Sequence, residues 1–389
     1  MTQISAFTLH ADSNVLTPDV PGMRVLVDCL RDGQAIKAQQ SVQTPIAPVP
    51  AAQQWVMCET SGSSGHPKVI RRSPQSWMQS FGITAERFAI GAADIYATFG
   101  SLGHSLTLYA SVEALSLGAD ICALVHLGPK RQAMAVNTMG VTVIYATPTQ
   151  LGLLIKGAAQ GQIASFPLVR YVFCGGGKLS EAVKAATQTL CPNAALFEFF
   201  GASETSFITL SDRQTPLGSV GRCYPGVTVR IDAPAGAPGE IWVKSPYVFD
   251  GYEGGDHKDT QWDAAYLSIG EMGFQDAGGN LYLCGRKNRM VTIADVNVFP
   301  EEVERAIAQL DGVQDCAVIG VPDPKRGHRL VCFVRSGSNT PDAAGIRGHC
   351  RAALGPHAVP QDIQFIAQIP MLAAGKPDLQ RLAAMIEDR

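Results

Sequence analysis

The chain has 389 residues, more than one compact domain usually holds, so two domains are expected. A hydrophobic fraction of 46% against 17% charged residues is an ordinary globular balance, and a formal net charge of -3 argues against a nucleic-acid or anionic-membrane partner. The ten cysteines include no CxxC pair, which speaks against a zinc or redox motif and fits free thiols in a reducing cytoplasm; the first residues lack the basic and apolar regions of a signal peptide, and no run reaches the ~18 apolar residues needed to cross a bilayer.

Residues 34–53, rich in Gln, Ala, Pro and Val without a clear period, read as a loop or linker. From Trp55 onward, short apolar runs alternate with longer periodic stretches. Trp55–Cys58, Ile95–Phe99, Ile121–Val125, Val141–Tyr145, Val169–Phe173 and Leu196–Phe199 read as strands, and 105–117, 129–139 and 179–190 as helices. That alternation predicts an α/β fold with buried, partly parallel strands. After about residue 220 the strands Val227–Asp232, Gly239–Val243 and Leu281–Cys284, separated by Gly and Pro turns, predict a small β-rich subdomain. Phe299–Leu310 reads as a helix, with Pro300 in its first turn and Glu301, Glu302 and Glu304 near its positive end. Val313–Val321 and Leu330–Val334 read as strands and 341–354 as a helix, a small α+β C-terminal domain.

Thr60-Ser61-Gly62-Ser63-Ser64-Gly65-His66-Pro67-Lys68 follows a strand and packs hydroxyls, two glycines and a lysine into nine residues. Glycines let the backbone turn and present N–H groups, hydroxyls add donors, and Lys68 adds a point charge, so the segment can hold a polyphosphate. It is not a Walker A loop, because no Gly-Lys-Ser/Thr occurs. The competing reading is a plain Ser/Gly turn. The segment resembles the signature loop of the ANL superfamily of adenylate-forming enzymes, which includes acyl-CoA synthetases, adenylation domains and luciferases. Further motifs follow in family order: Phe200-Gly201-Ala202-Ser203-Glu204, Gly285-Arg286, Pro300-Glu301-Glu302-Val303-Glu304, and Pro370 with Gly375-Lys376. Gly175-Gly176-Gly177, Gly218–Arg222, Gly239-Glu240-Ile241, Gly251-Tyr252 and Val318–Asp323 also have counterparts, so the likeness covers roughly residues 55–389.

The resemblance implies a core over 1–287, a large N-terminal α/β domain with its β-rich subdomain, and a mobile α+β domain over 288–389. It implies ATP-dependent activation of a carboxylic acid as an acyl-adenylate, with ATP and Mg²⁺ as cofactors, then transfer to the thiol of CoA or of a carrier protein's phosphopantetheine. The Thr60–Lys68 loop would hold the β- and γ-phosphates. Glu204 would hold Mg²⁺, which takes one or two carboxylates plus phosphate oxygens; a helix-end glutamate is the alternative. Gly175, Gly176 and Gly177 would bring backbone to adenine, or form an ordinary loop, and Phe200 would stack on the base. Phe200, Gly201, Ala202 and Ser203 would line the nucleotide site. Glu271, where the family has Asp, would grip the ribose with Arg286. Lys376 would bridge substrate carboxylate and α-phosphate and stabilise the transition state electrostatically; a solvated tail lysine is the alternative. His104 would border the acyl pocket or serve as a core histidine, and Tyr145–Gln150 would line the same pocket.

The sequence departs from the family in three places. Only 59 residues precede the phosphate loop, fewer than family members carry, and a two-fold homodimer is the expected cover for the surface this exposes. The hinge position, usually Asp or Lys, is Asn288. Ala294 and Asp295 stand where the family has two glycines beside the tunnel for the pantetheine arm, so Asp295 is expected to restrict the thiol acceptor. Two rival functions follow: an enzyme that forms the adenylate without making a CoA thioester, and a non-catalytic nucleotide- or carboxylate-binding relative.

Overall fold

The computed structural model describes residues 6–60, 68–177, 179–255, 260–371 and 377–387. The chain divides into two compact units: residues 1–230, 242–269 and 276–282 form the first, and 231–241, 270–275 and 283–389 the second.

The first unit contains a seven-stranded sheet. Its strands run in the order Arg222–Cys223, Ser206–Leu210, Ala195–Ala202, Tyr171–Cys174, Val143–Ala146, Ile95–Thr98, Asp120–Ala123. The pairs from Ala195–Ala202 to Asp120–Ala123 are parallel, and the two pairs at the other edge are antiparallel. Parallel neighbours need crossovers, and the helices Ser105–Leu117, Pro129–Thr138, Pro148–Gln160 and Glu181–Leu190 supply them. Burial on both faces explains why these strands read as continuous apolar runs. Ile144, Ala146, Val172, Cys174 and Leu196 share one core with Leu151 and Leu154 of a crossover helix. Thr147 starts that helix with a reciprocal capping box: Gln150 N–H donates to Thr147 Oγ1, and Thr147 N–H to Gln150 Oε1.

A second sheet in this unit corrects the reading of residues 34–53 as a loop. Ala35–Ala38 and Ile46–Val49 are antiparallel strands, and Ala35–Ala38 also pairs in parallel with Val56–Thr60. The order is Gly251–Tyr252, Lys68–Arg72, Val56–Thr60, Ala35–Ala38, Ile46–Val49. Each four-residue strand is too short to show a period; pairing to a neighbour from elsewhere in the chain holds it. The helices Met23–Arg31 and Pro74–Phe88 also escaped the sequence reading.

In the second unit the hairpin Val313–Asp323 with Gly327–Ser336 is the backbone of a sheet. Val318, Leu330, Cys332 and Val334 pack with Val303, Ile307 and Ile346 of the helices Pro300–Ile307 and Ala343–Leu354. The alternate residues Ala317, Ile319, Val331 and Phe333 pack with Ile369 and Leu382. Period-two alternation therefore feeds two apolar cores. The expected helices and strands of both units sit where the sequence placed them, with ends differing by a few residues. The β-rich stretch contributes to both units: Val243 pairs with Leu267 in the first, and Gly239 and Glu240 pair with Gly273 and Met272 in the second. Among the described residues, no helix is long and apolar enough to cross a membrane.

Candidate active site

Thr60 and Lys68 end two adjacent antiparallel strands and face each other in register. Thr60 Oγ1 donates to Lys68 O at 3.4 Å. Ser61, Gly62, Ser63, Ser64 and Gly65 lie outside the described residues. On the other side of Lys68–Arg72 lies Gly251–Tyr252, with Tyr252 opposite Ile70. The Lys68 ammonium sits 5.7 Å from the centroid of the Tyr252 ring, within cation–π range.

Glu204 occupies the turn between Ala195–Ala202 and Ser206–Leu210, which removes the reading of a glutamate at a helix end. Three contacts fix this turn. Phe249 N–H donates to Glu204 O at 2.8 Å, Arg72 Nη2 donates to Ser203 O at 2.6 Å, and the Tyr252 hydroxyl donates to Glu204 Oε1 at 2.9 Å. Arg72 is 1% exposed and also donates to Tyr247 O and Ser76 Oγ. Burial lowers its guanidinium to about 10, still charged at neutral pH. Glu204 Oε2 accepts no hydrogen bond from a described residue. A carboxylate with one oxygen held and one open suits a hard cation that takes its other ligands from phosphate and water. Among the described residues there is no group of three or more His, Cys, Asp or Glu that could hold a metal ion.

The glycines divide by role. A Cβ on Gly175 would overlap the Phe199 ring, and one on Gly201 would overlap Ser206 O, so both serve packing. Gly176, at φ +83°, and Gly177 have only distant neighbours and leave backbone open. Phe200 is half-buried and makes no ring pair with a described aromatic residue. Ala202 N–H donates to Thr205 Oγ1, closing the same turn. His104 stands exposed at the N-terminus of Ser105–Leu117, which excludes a core histidine; partial loss of hydration lowers its pKa.

The second unit holds the other predicted group. Glu271 Oε1 and Arg286 Nη2 are 2.9 Å apart, so the two residues expected on the ribose meet as an ion pair. Beyond Arg286 the chain turns through exposed Asn288, and Arg289 N–H bonds back to Arg286 O. The Pro300–Glu304 motif grips both sides of that turn. Glu301 Oε1 accepts the Arg286 N–H at 3.2 Å and pairs with Arg289 at 3.3 Å, while Glu304 pairs with Arg289 at 2.7 Å. A side chain on Gly285 would collide with the Glu301 carboxylate, which explains the Gly-Arg pair. Ala294 and Asp295, at φ 47° and 64°, form the two-residue turn between Val291–Ile293 and Val296–Val298. Both residues occupy the left-handed conformation that glycine adopts freely, the geometry of a type I′ hairpin. Lys376 lies outside the described residues; the segment carrying it is closed at its base by Asp378 N–H donating to Pro370 O at 2.8 Å.

The AMP-binding enzyme family profile matches residues 5–253, and the profile for its C-terminal domain matches 302–376. The chain belongs to the AMP-binding enzyme family. An uncharacterized acyl-CoA ligase of Bacillus subtilis (strain 168), YhfT, is 30% identical over 392 residues, covering 98% of this chain and 78% of the relative. The amide bond synthetase McbA from Marinactinospora thermotolerans superposes with a TM-score of 0.75 at 26% identity, over 85% of this chain and 68% of that one. O-succinylbenzoate coenzyme A synthetase from Bacillus subtilis, solved with ATP and a magnesium ion, shares the fold, with a TM-score of 0.74 at 20% identity over 88% and 73% of the two chains. This AMP-binding enzyme is therefore an ANL adenylate-forming ligase: with ATP it converts a carboxylic acid into an acyl-adenylate and passes the acyl group to a thiol. The non-catalytic alternative falls away.

Three residues to which the sequence reading gave no role emerge from packing. Tyr252 and Arg72 hold the Glu204 turn; two arginines inside the short strand Lys68–Arg72 were the available signal, since a charge on a sheet's inner face needs a partner. Glu113, fully buried in Ser105–Leu117, collects the hydroxyls of Tyr96, Tyr109 and Tyr145 at 3.2, 3.0 and 2.7 Å. Burial pushes its carboxyl up to about 7, against the opposing effect of these hydrogen bonds.

Proposed function

We propose that the two half-reactions run through the residues assembled above, with CoA or a carrier-protein pantetheine as the thiol. A carboxylate oxygen of the acid attacks the α-phosphorus of ATP, and the bond to the pyrophosphate oxygen breaks. The acid and ATP are both anions, so the protein must neutralise charge and align the attack. Thr60, Ser61, Gly62, Ser63, Ser64, Gly65 and Lys68 hold the β- and γ-phosphates. Glu204 would hold Mg²⁺, which would supply neutralisation of phosphate charge there. Phe200 stacks on adenine above the open backbone of Gly176 and Gly177. Glu271 and Arg286 hold the ribose hydroxyls, and Lys376 stabilises the charge that develops on the α-phosphoryl oxygens. In the second step the thiol sulfur attacks the acyl carbon, AMP leaves, and the thiol proton is released. Residues 288–389 move about Asn288 between the steps, with 1–287 as the fixed core.

The observation that carries this reading is the grouping of Lys68, the last residue of the Thr60–Lys68 segment, with Tyr252 and Glu204: a cation and a carboxylate held by one side chain. A panel of carboxylic acids read by ATP–pyrophosphate exchange tests it. At least one acid should support Mg²⁺-dependent exchange, and Lys376→Ala should lower that exchange by about 10²–10³-fold. An unchanged rate would remove Lys376 from the mechanism.

Asp295 bears on the acceptor. A carboxylate beside the pantetheine arm opposes the several phosphates of CoA more than the single phosphate of a carrier-bound arm. A carrier-protein thiol should therefore be at least as good an acceptor as CoA, and Asp295→Gly should raise thioester yield without changing exchange. Rapid acyl-CoA formation by the parent at saturating CoA would sink this point. Amide formation from an added amine, with no thioester from either thiol, would favour a non-thiol acceptor, the chemistry that McbA's name describes.

A further inference from the structure

Tyr252 is 8% exposed and packs edge-on against Phe249 at 4.8 Å, which by itself describes an ordinary core tyrosine. Its hydroxyl does something a core ring does not need. It lies 2.9 Å from Glu204 Oε1 and 2.7 Å from Thr260 Oγ1. An ionised carboxylate only accepts, so the single phenolic proton is committed to Glu204, and the Thr260 hydroxyl must be the donor to Tyr252. The three groups form a directional chain, Thr260 to Tyr252 to Glu204. The ring face of the same residue carries the Lys68 ammonium at 5.7 Å.

We propose that Tyr252 is a positioning residue for the metal-binding carboxylate: its hydroxyl occupies Glu204 Oε1 and so aims Oε2 at the cation, while its ring keeps Lys68 alongside. The inference rests on the reading of Glu204 as the Mg²⁺ ligand. Hydrogen bonds to a metal-ligating carboxylate orient it and tune its affinity. Without the Tyr252 proton, Oε1 is free and the carboxylate can rotate on its terminal torsion, which is broad for glutamate. Arg72 and Phe249 hold only the backbone of this turn, and neither fixes the carboxylate's rotation.

The ring and the hydroxyl can be separated. Tyr252→Phe keeps the edge-on contact with Phe249 and the face under Lys68 but deletes the proton. Tyr252→Leu deletes both. Thr260→Val leaves Tyr252 intact and removes only the donor that orients its hydroxyl. Mn²⁺ serves as the spectroscopic probe, its binding to the protein saturated with a non-hydrolysable ATP analogue being read by electron paramagnetic resonance. Metal-free nucleotide binding is read by calorimetry, and thermal unfolding monitors the fold.

Tyr252→Phe should weaken Mn²⁺ binding about 10-fold, with metal-free nucleotide affinity unchanged. Thr260→Val should shift Mn²⁺ affinity in the same direction by less. Tyr252→Leu should weaken both Mn²⁺ and nucleotide binding. Glu204→Gln is the reference. If it loses Mn²⁺ affinity while Tyr252→Phe and Thr260→Val stay within twofold of the parent, the positioning role is wrong and Tyr252 is a packing residue. If Glu204→Gln itself keeps the parent's Mn²⁺ affinity, the assignment of Glu204 as the ligand fails and takes the inference with it. Should Tyr252→Phe lose its fold, Thr260→Val alone decides, since it leaves the ring in place.

Discussion

The two polar clusters of this protein use the same residue types in opposite ways. In the first unit Glu204 has one oxygen held by Tyr252 and the other open, beside a lysine that a ring keeps in place. In the second unit the acids are already matched: Glu271 to Arg286, and Glu301 and Glu304 to Arg289. On the proposed reading, a carboxylate with no arginine paired to it is available to an incoming cation. A paired one holds the backbone around a turn, or on the same reading exchanges its partner for a ligand. The same amino acid, glutamate, is thus read as ligand or as clamp from whether an arginine is paired with it.

The most direct way to break this contrast is to neutralise one acid from each cluster. Glu204→Gln should lower Mg²⁺-supported pyrophosphate exchange by about 10²–10³-fold, the scale of losing one preorganised electrostatic group. Glu271→Gln should mainly raise the KM for ATP, by about tenfold, the worth of one hydrogen bond to a charged group. Equal effects of the two variants on exchange at saturating ATP would erase the distinction between ligand and clamp.

Elsewhere in the first unit Glu113 is a third case, a fully buried acid that accepts hydrogen bonds from the hydroxyls of Tyr96, Tyr109 and Tyr145. Its folded pKa, about 7, lies above the ordinary 4.5, so between those values the folded state holds a proton that the unfolded state has lost. Stability should therefore be greatest below about pH 4.5, fall as pH rises to about 7, and level off above, a change on the order of 3 kcal/mol from this group. Glu113→Gln carries no titrating proton and should lack that slope. Urea unfolding of both proteins from pH 5 to 8, followed by intrinsic fluorescence, reads it; parallel curves would show that Glu113 does not titrate in this window.

The smallest expected effect concerns the turn at Ala294 and Asp295. A left-handed alanine carries a steric cost that glycine avoids, so Ala294→Gly should stabilise the protein by about 1 kcal/mol. A rise in thermal midpoint with unchanged pyrophosphate exchange would mark the turn as strained but outside the first half-reaction. A fall in midpoint would mean that Ala294 makes packing contacts outweighing the strain.

Much of the architecture was legible because its signals are local. Short β-rich apolar runs alternating with periodic stretches mark parallel strands and crossover helices, and the helices expected over 179–190, Phe299–Leu310 and 341–354 begin within two residues of where the structure starts them. The Thr60–Lys68 segment stood out as a candidate phosphate loop for the same reason: its glycines, hydroxyls and lysine are contiguous. The strands Ala35–Ala38 and Ile46–Val49 were not, because no short Gln- and Pro-rich segment shows a period, and only the parallel partner Val56–Thr60 gives Ala35–Ala38 its conformation.

The sequence by itself determined the α/β class, the order of the motifs and the types of charged group available for adenylation. Tertiary structure alone decided their pairing. It set Tyr252 between Lys68 and Glu204, residues separated by more than a hundred positions, and buried Arg72 against the carbonyls of Ser203 and Tyr247. It also set Phe199 against Gly175 and the Glu301 carboxylate against Gly285, where a side chain would not fit. The physical reason is range: propensity, capping and turn chemistry act over a few residues, whereas a hydrogen bond or a steric overlap depends on which distant strands the sheet makes neighbours.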